Sequence, residues 1–461
     1  MSPRMERKRA TYIYKIVRQG PTEIGYAYFR ARRRRRNLAD RDLTLSESDE
    51  LALEPALDLA PDVLAENDRL LARQQEAAEL DIRTVQWLLP FFHHAYFAGV
   101  YTILRFADHL AREHGVQSRF CIYDAALSQV PPIAAKIARA FPSLASADVT
   151  PGALPDRAPY DHLGECDAAI ATLWTTVYPL VRFSRTRSKF YFVQDYEPGF
   201  YPAGAASALA ELTWSIGIPG LVNTPGLADS YRAHGNPAAS FIPAVDAERY
   251  HPPRHRGGPD RPVRLFFYAR PRHPRNAFGL GVSVLERVKH AYGRRVEIVC
   301  AGEAWNPGQF GVSDVLSNLG VLPDLDAVAE LYRTCDIGLV FMLTRHPSYQ
   351  PFEFMASGMA CVSNANPDTA WLLRHEHNAL TAPPAASLVA AQVGRLIEDP
   401  QLRQRLAATA LSDVRAVHWP EQLERLWGAM TKRGEPFQSP LDDSDRQAGR
   451  RAPASLSTRQ P

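Results

Sequence analysis

CDIGLVFML (335–343), followed closely by HPSYQPFEFMASGMACVSN (346–364), is the stretch that decides the fold. The first run is apolar and short, as suits a strand covered on both faces. A Pro-containing loop leads to Glu353 at the start of a short apolar helix, which closes on Ser357-Gly358. A second apolar run, ACVSN (360–364), completes a strand–loop–helix–strand unit. Parallel strands joined in this way collect ligands in the crevice beyond their carboxyl ends. A carboxylate at that helix start is placed to hold a ribose through its hydroxyls.

The same alternation extends in both directions. VQWLLPF (85–91), RFCIYD (119–124), CDAAIATLW (166–174), KFYFVQDYE (189–197), part of 217–235 and SFIPAV (240–245) predict strands, with helices over 100–115 and around 132–140. After the Pro/Arg/Gly-rich connector HPPRHRGGPDRP (251–262) the pattern restarts. Strands are expected at 263–270, 296–302, 337–342 and 360–364, and helices at 279–292, 325–334, 353–358 and onward to about 415. Two successive units of this kind predict two parallel α/β sheets. The 461 residues have room for two medium domains plus extensions.

The net charge of +3 points to no partner, but its distribution is uneven. Residues 1–36 hold twelve Lys/Arg against two Glu, and residues 37–82 hold thirteen Asp/Glu against three Arg. Tyr12, Ile13, Ile16 and Val17 share one helical face in the basic block, a composition suited to an anionic membrane surface. A solvated tail is the bland alternative. No recognition motif accompanies the run, so nucleic-acid binding is not expected. Residues 37–82 read as a linker or a helix packed on the main body. The five cysteines, Cys121, Cys166, Cys300, Cys335 and Cys361, are scattered and form no zinc spacing, which suits small core residues in a reducing compartment. No apolar run reaches membrane-spanning length and no signal-peptide core follows the basic start, so a cytoplasmic protein is expected.

The segment quoted first resembles the donor-sugar motif of GT-B glycosyltransferases of the retaining E-x7-E group. FIPAVDAERYHPP (241–253) is similar to the segment that connects their lobes, LFFYARPRHPRNAFGLG (265–281) to their donor-phosphate loop, and NLGVLPDLDAVAELYRTCDIGLVFML (318–343) to their base-contact region. YFVQDYEPGFYP (191–202) is similar to a narrower subset, which transfers rhamnose from dTDP-L-rhamnose in bacterial surface-glycan assembly. The resemblance implies an α/β GT-B fold, two Rossmann-like lobes with a central cleft, to which the composition adds a helical basic N-terminal extension. Its expected parts are the extension (1–82), an acceptor lobe (83–248), a donor lobe (249–417), a crossover helix (418–432) and a disordered tail (433–461).

It also implies roles for particular residues. Arg270 and Arg275 stand where the family places an Arg and a Lys on the donor diphosphate, and a guanidinium fork suits phosphate oxygens. The helix start at Gly279 and Gly281 could add its amides. A G-x-G-x-x-G fingerprint is absent, which counts against a nicotinamide dehydrogenase. Glu353 matches the ribose-binding second Glu of E-x7-E, but Arg345 replaces the first. His346, Ser348 and Tyr349 then become candidates for contacts to the donor sugar, and Val321 and Leu322 for backbone contacts to the base. In the first lobe His93, His94, Gly99 and Tyr201 are candidates for the acceptor. Asp195 and Glu197, with Arg270, are the expected catalytic groups, and either acid could take a proton from the acceptor. Asp324-Leu325-Asp326 and Asp40-Arg41-Asp42 resemble metal motifs but suit helix caps or loops better; no metal or other cofactor is expected.

The expected function is transfer of a sugar, plausibly L-rhamnose, from a nucleotide-sugar donor to a glycan or lipid-linked acceptor, with retention of configuration. The alternatives are a non-catalytic GT-B scaffold or glycan-binding partner, and a nucleotide-sugar epimerase on a similar frame.

Overall fold

The computed structural model of the protein describes residues 59–77, 79–96, 98–154, 160–255, 258 and 261–432. The basic segment 1–36, the acidic stretch to residue 58 and the tail from 433 lie outside the described residues, and with them the membrane-surface and tail expectations. Among the described residues no helix is long and apolar enough to cross a membrane.

Helix α1 (Pro61–Glu76) comes first. The first lobe then runs β1 (Thr84–Leu89), α2 (Ala98–His114), β2 (Gln117–Ile122), α3 (Val130–Ala140), β3 (Asp148–Pro151), β4 (Cys166–Ala171) and α4 (Trp174–Arg182). It continues through β5 (Thr186–Val193), α5 (Ala205–Leu212), β6 (Gly220–Asn223), α6 (Pro225–Ala233) and β7 (Ala238–Phe241). The second lobe runs β8 (Val263–Ala269), α7 (Phe278–Tyr292), β9 (Val296–Gly302), β10 (Ser317–Asn318), α8 (Leu325–Arg333), β11 (Ile337–Leu339) and α9 (Gln350–Ala356). It ends with β12 (Ala360–Asn364), β13 (Ala379–Ala382), α10 (Ala386–Glu398) and α11 (Pro400–Arg415), and α12 (Trp419–Thr431) follows.

The strand orders are β3-β2-β1-β4-β5-β6-β7 and β10-β9-β8-β11-β12-β13, and the paired strands run parallel in both sheets. Order reverses between β1 and β4 in the first sheet and between β8 and β11 in the second. These switch points open a crevice at the carboxyl ends of the strands. The loops that leave β1, β8 and β11 are the 90–97, 270–277 and 340–349 segments. Topology therefore delivers the candidate residues to the two crevices.

Strands covered by helices on both faces are buried nearly throughout, as β1, β4 and β12 are. Trp87, Trp174 and Trp214 are fully buried in the first lobe. Gly281 lets α7 lie close on β8, because a Cβ there would stand 2.2 Å from the Phe267 ring. Gly358 turns the chain out of α9 at φ 71°, a conformation that other residues adopt with strain.

Two helices, near either end of the described residues, pack on the first lobe. Leu423, Leu426 and Met430 of α12 enter the core formed by β1, α2 and β2. Ile242 N–H also donates to Gln422 Oε1 at 2.9 Å. Helix α1, from the segment read as linker or packed helix, lies against β5 and α4. There Gln74 bonds the backbone of Lys189, and Lys189 Nζ donates to Asn67 Oδ1 and the Val181 carbonyl, both at 3.0 Å. Burial pushes this lysine down to about 8, so α1 supplies what an ammonium inside a sheet needs.

Candidate functional site

The loop after β8 concentrates positive charge at the second switch point. Arg270 leaves the strand end partly buried, with its guanidinium 5.7 Å from the Tyr268 ring centroid and Nη2 against His273 Nε2. Its Nε has no hydrogen-bond partner among the described residues. His273 is held below the usual imidazole range, by burial first and then by Arg270, with Arg275 and Arg272 adding to it. Arg272 turns away to Glu303 at 2.7 Å. Gly281 is a packing position whose amide is already bonded to the Ala277 carbonyl at 2.9 Å. It does not offer the anion-binding amide expected of it; Gly279, two residues earlier, has open space where a Cβ would stand.

Arg275 reaches across to the first lobe. Its Nη1 donates to Asp195 Oδ2 at 2.8 Å, and its guanidinium lies 4.7 Å from the Phe200 ring centroid. The other Asp195 oxygen accepts the Tyr196 N–H at 2.8 Å, which shapes the turn after β5. Burial pushes the Asp195 carboxyl up to about 6, with Arg275 pulling against it.

Glu197 requires a correction. It was expected beside Asp195 as a catalytic acid, but its side chain turns into the lobe and is 2% exposed. One oxygen accepts both the Trp174 N–H, at the start of α4, and the Tyr191 hydroxyl. Burial pushes it up to about 8. Glu197 therefore holds a helix end inside the lobe rather than standing beside Asp195 at the strand end. Tyr201, expected at the acceptor, accepts from Trp174 Nε1 at 3.1 Å and stays partly exposed.

The loop after β11 is pinned from β12. Asn364 brackets Met342, and Asn366 Nδ2 donates to the Met342 and Thr344 carbonyls. His346 is thereby buried between the lobes, with Nε2 3.3 Å from Asn223 Nδ2 at the end of β6. Its Nδ1 and the Asn223 Oδ1 are buried and unpartnered among the described residues. Burial, aided by Arg275, pushes His346 down to about 3, so the ring is neutral. Tyr349 OH lies 2.8 Å from Thr102 Oγ1 of α2 and 3.4 Å from Asn223 Nδ2. Arg345 turns instead to the first lobe, 5.1 Å from the Tyr196 ring centroid. Ser348 bonds the Gln350 side chain at 3.2 Å.

Glu353 is half-buried in α9. Burial pushes it up to about 7, against the pull of the Tyr250 and Tyr332 hydroxyls and of Arg249. Val321 is exposed, and Leu322 packs on the second-lobe core. His93 and His94 are exposed, the first edge-on to Phe91 and the second stacked on Tyr96. A Cβ on Gly99 would meet the Gln194 amide at 3.4 Å, so the start of α2 closes on the end of β5. Asp324 accepts the Ala327 N–H at 2.8 Å and caps α8, while Asp326 pairs with Arg249 at 2.7 Å.

The structure thus gathers Arg270, Arg275, Asp195, His346 and Tyr349 and adds Asn223 and Thr102, which sequence reasoning missed. Asn223 had one available signal, a polar residue ending an apolar strand run.

Residues 85–221 match the WsaF N-terminal domain and residues 263–394 the WsaF C-terminal domain, together more than half of the chain. The chain belongs to the WsaF family. It is 42% identical over 367 residues to the O-antigen biosynthesis protein RfbC of Myxococcus xanthus, across 78% of this chain but 28% of that protein's length. Among solved structures it resembles HepE of Anabaena in complex with UDP and glucose, with a TM-score of 0.56 at 13% identity, over 76% of this chain and 99% of that one. Sucrose-phosphate synthase of Thermosynechococcus elongatus aligns with a TM-score of 0.55 at 10% identity, over 76% and 98%. The fold is GT-B, as expected.

Proposed function

We propose that this WsaF-family protein transfers L-rhamnose from dTDP-L-rhamnose to a glycan or lipid-linked acceptor in bacterial surface-polysaccharide synthesis. The observation that carries the reading is the meeting of the loop after β8, at the second lobe's switch point, with the loop after β5 of the first lobe, through Arg275 and Asp195. A cationic diphosphate site on one lobe faces a carboxylate on the other. The similarity to a protein of O-antigen biosynthesis supports the surface-glycan setting, and the similarity to a structure holding UDP and glucose supports a nucleotide-sugar donor. Rhamnose itself rests on the 191–202 segment.

In this reading Arg270 and Arg275, with the first turn of α7, hold the diphosphate and stabilise the charge that develops as the glycosidic bond breaks. Glu353 reaches the nucleoside sugar. His346, Asn223 and Tyr349 present neutral donors and acceptors, which suit the hydroxyls of an uncharged sugar. Asp195, once released from Arg275, accepts the proton of the attacking hydroxyl. Configuration is retained, as the resemblance implies. Lobe closure keeps water from the donor. The basic segment 1–36 docks the enzyme on the cytoplasmic membrane face.

The test is a thermal-shift panel of nucleotide sugars, followed by analysis of donor incubated with and without acceptor glycan. A ligand of the folded state raises Tm by mass action. Stabilisation by dTDP-L-rhamnose and its acceptor-dependent consumption are expected. If no nucleotide sugar shifts Tm, the transferase reading fails; epimerised donor without transfer would favour the epimerase.

A further inference from the structure

Far from the cleft, α2 and α12 bring together three side chains that the proposed reaction does not use. His109 and His114 lie toward the end of α2, and Glu424 lies on α12. Glu424 Oε2 is 3.2 Å from His109 Nε2 and 2.9 Å from His114 Nε2. The three ligand atoms all lie within 4.8 Å of one another. The His109 side chain is 9% exposed, His114 21% and Glu424 55%, so the cluster is walled by protein on the histidine side and open on the carboxylate side. Trp427, one turn beyond Glu424, stacks on the His114 ring with centroids 4.5 Å apart and planes at 26°, which holds that imidazole.

We propose that His109, His114 and Glu424 form a structural site for a divalent zinc-like cation that staples the crossover helix to the first lobe. The donor set is two imidazoles and one carboxylate, a combination that zinc takes at about 2.0–2.2 Å per ligand. Tetrahedral placement at those lengths separates neighbouring ligand atoms by roughly 3.3 Å. The two nitrogen–oxygen separations already lie within about half an ångström of that value. To bind, each imidazole carries its proton on Nδ1 and turns the Nε2 lone pair to the metal. Glu424 gives one oxygen, and water completes the fourth position on the exposed side.

Location separates this site from the chemistry. At about 1.5 Å per residue, His109 and His114 stand about 15 and 22 Å along α2 from Gly99. The cation therefore has a structural role. Helix α12 returns the chain from the second lobe and buries Leu423, Leu426 and Met430 in the first. A metal bridging α2 and α12 fixes the anchor about which the second lobe moves. The three ligands are hidden in the sequence, because Glu424 is 310 positions from His114.

The test uses the full chain freed of metal with chelator and titrated with zinc by calorimetry. Thermal unfolding is followed in parallel, and cobalt(II) serves as a visible-absorbance probe. One equivalent of zinc, a raised Tm and the absorption of four-coordinate cobalt are expected. His114→Ala and Glu424→Gln should weaken binding by at least the roughly 10–100-fold lost on removing an outer-shell partner, and should abolish the Tm shift. Glu424 is on the surface, so its variant keeps the test valid should a histidine variant fold poorly. No stoichiometric binding, or binding that both variants leave unchanged, would overturn the assignment; the second result would place the zinc on other surface histidines.

Discussion

Arg275 Nη1 and Asp195 Oδ2 stand 2.8 Å apart, joining the loop after β8 of one lobe to the loop after β5 of the other. The same guanidinium cannot serve Asp195 and a diphosphate equally well. In the proposed reaction donor binding is coupled to release of the carboxylate, and product-inhibition kinetics are expected to show the donor binding first.

Asp195→Asn removes the competitor for Arg275. A half-exposed pair of this kind is worth about 0–1 kcal/mol, so nucleoside diphosphate should bind unchanged or up to about 5-fold tighter. Transfer should fall by about 10²–10⁴-fold, the usual contribution of a general base. Calorimetry and initial rates check the two halves separately. Weaker diphosphate binding with normal transfer would remove Asp195 from this role.

The same carboxyl sets a pH limb. Burial raises Asp195 to about 6, and only the ionised form accepts a proton. Wild-type kcat/KM should therefore fall below pH 6, tenfold per unit once well below it. The small residual rate of Asp195→Asn should lack that limb.

Arg270→Ala should lower turnover by about 10²–10³-fold, as removal of one charge-stabilising donor does. Its stability should stay within about 0.5 kcal/mol, the ordinary range for partly exposed positions. Arg270→Lys should recover part of the rate, because the charge returns without the fork. Transfer kinetics and urea unfolding give the comparison.

Glu197 makes a prediction about stability. Burial raises its pKa from an ordinary 4.5 to about 8 in the fold, so the folded state favours the protonated form. That contribution is complete below pH 4.5 and is lost as pH rises through 8. Glu197→Gln should flatten this slope while still accepting the Trp174 and Tyr191 hydrogen bonds. Glu197→Ala should cost about 1–3 kcal/mol at pH 7 by leaving buried donors unmet. Urea unfolding from pH 5 to 9 distinguishes the variants.

Gly281→Val should destabilise by about 1–3 kcal/mol through overpacking, because the new side chain meets the Phe267 ring. A lower urea midpoint with an unchanged m-value is the expected readout.

The longer strands of both sheets were legible because a strand covered on both sides must read as an apolar run. The short strands β3, β10 and β13 were not: their two to four residues stand in no longer apolar run such as the one that contains β11. Trp174 was read as the end of a strand and instead starts α4, after β4 ends at Ala171. Arg270, Arg275 and Glu353 were visible as charged residues at strand and helix ends. Glu197 had the same appearance, yet its partner Trp174 lies 23 residues earlier, and no local rule joins them.

Sequence by itself determined the two parallel lobes, the connector between them and the charged loops at the strand ends. These follow from local periodicity and from residue chemistry along the chain. Only the tertiary structure decided that Arg275 meets Asp195, that Arg345 turns to Tyr196, and that Asn223 faces His346. Each of these pairs joins opposite lobes, and which side chains meet there depends on how the two sheets pack, which no local pattern encodes.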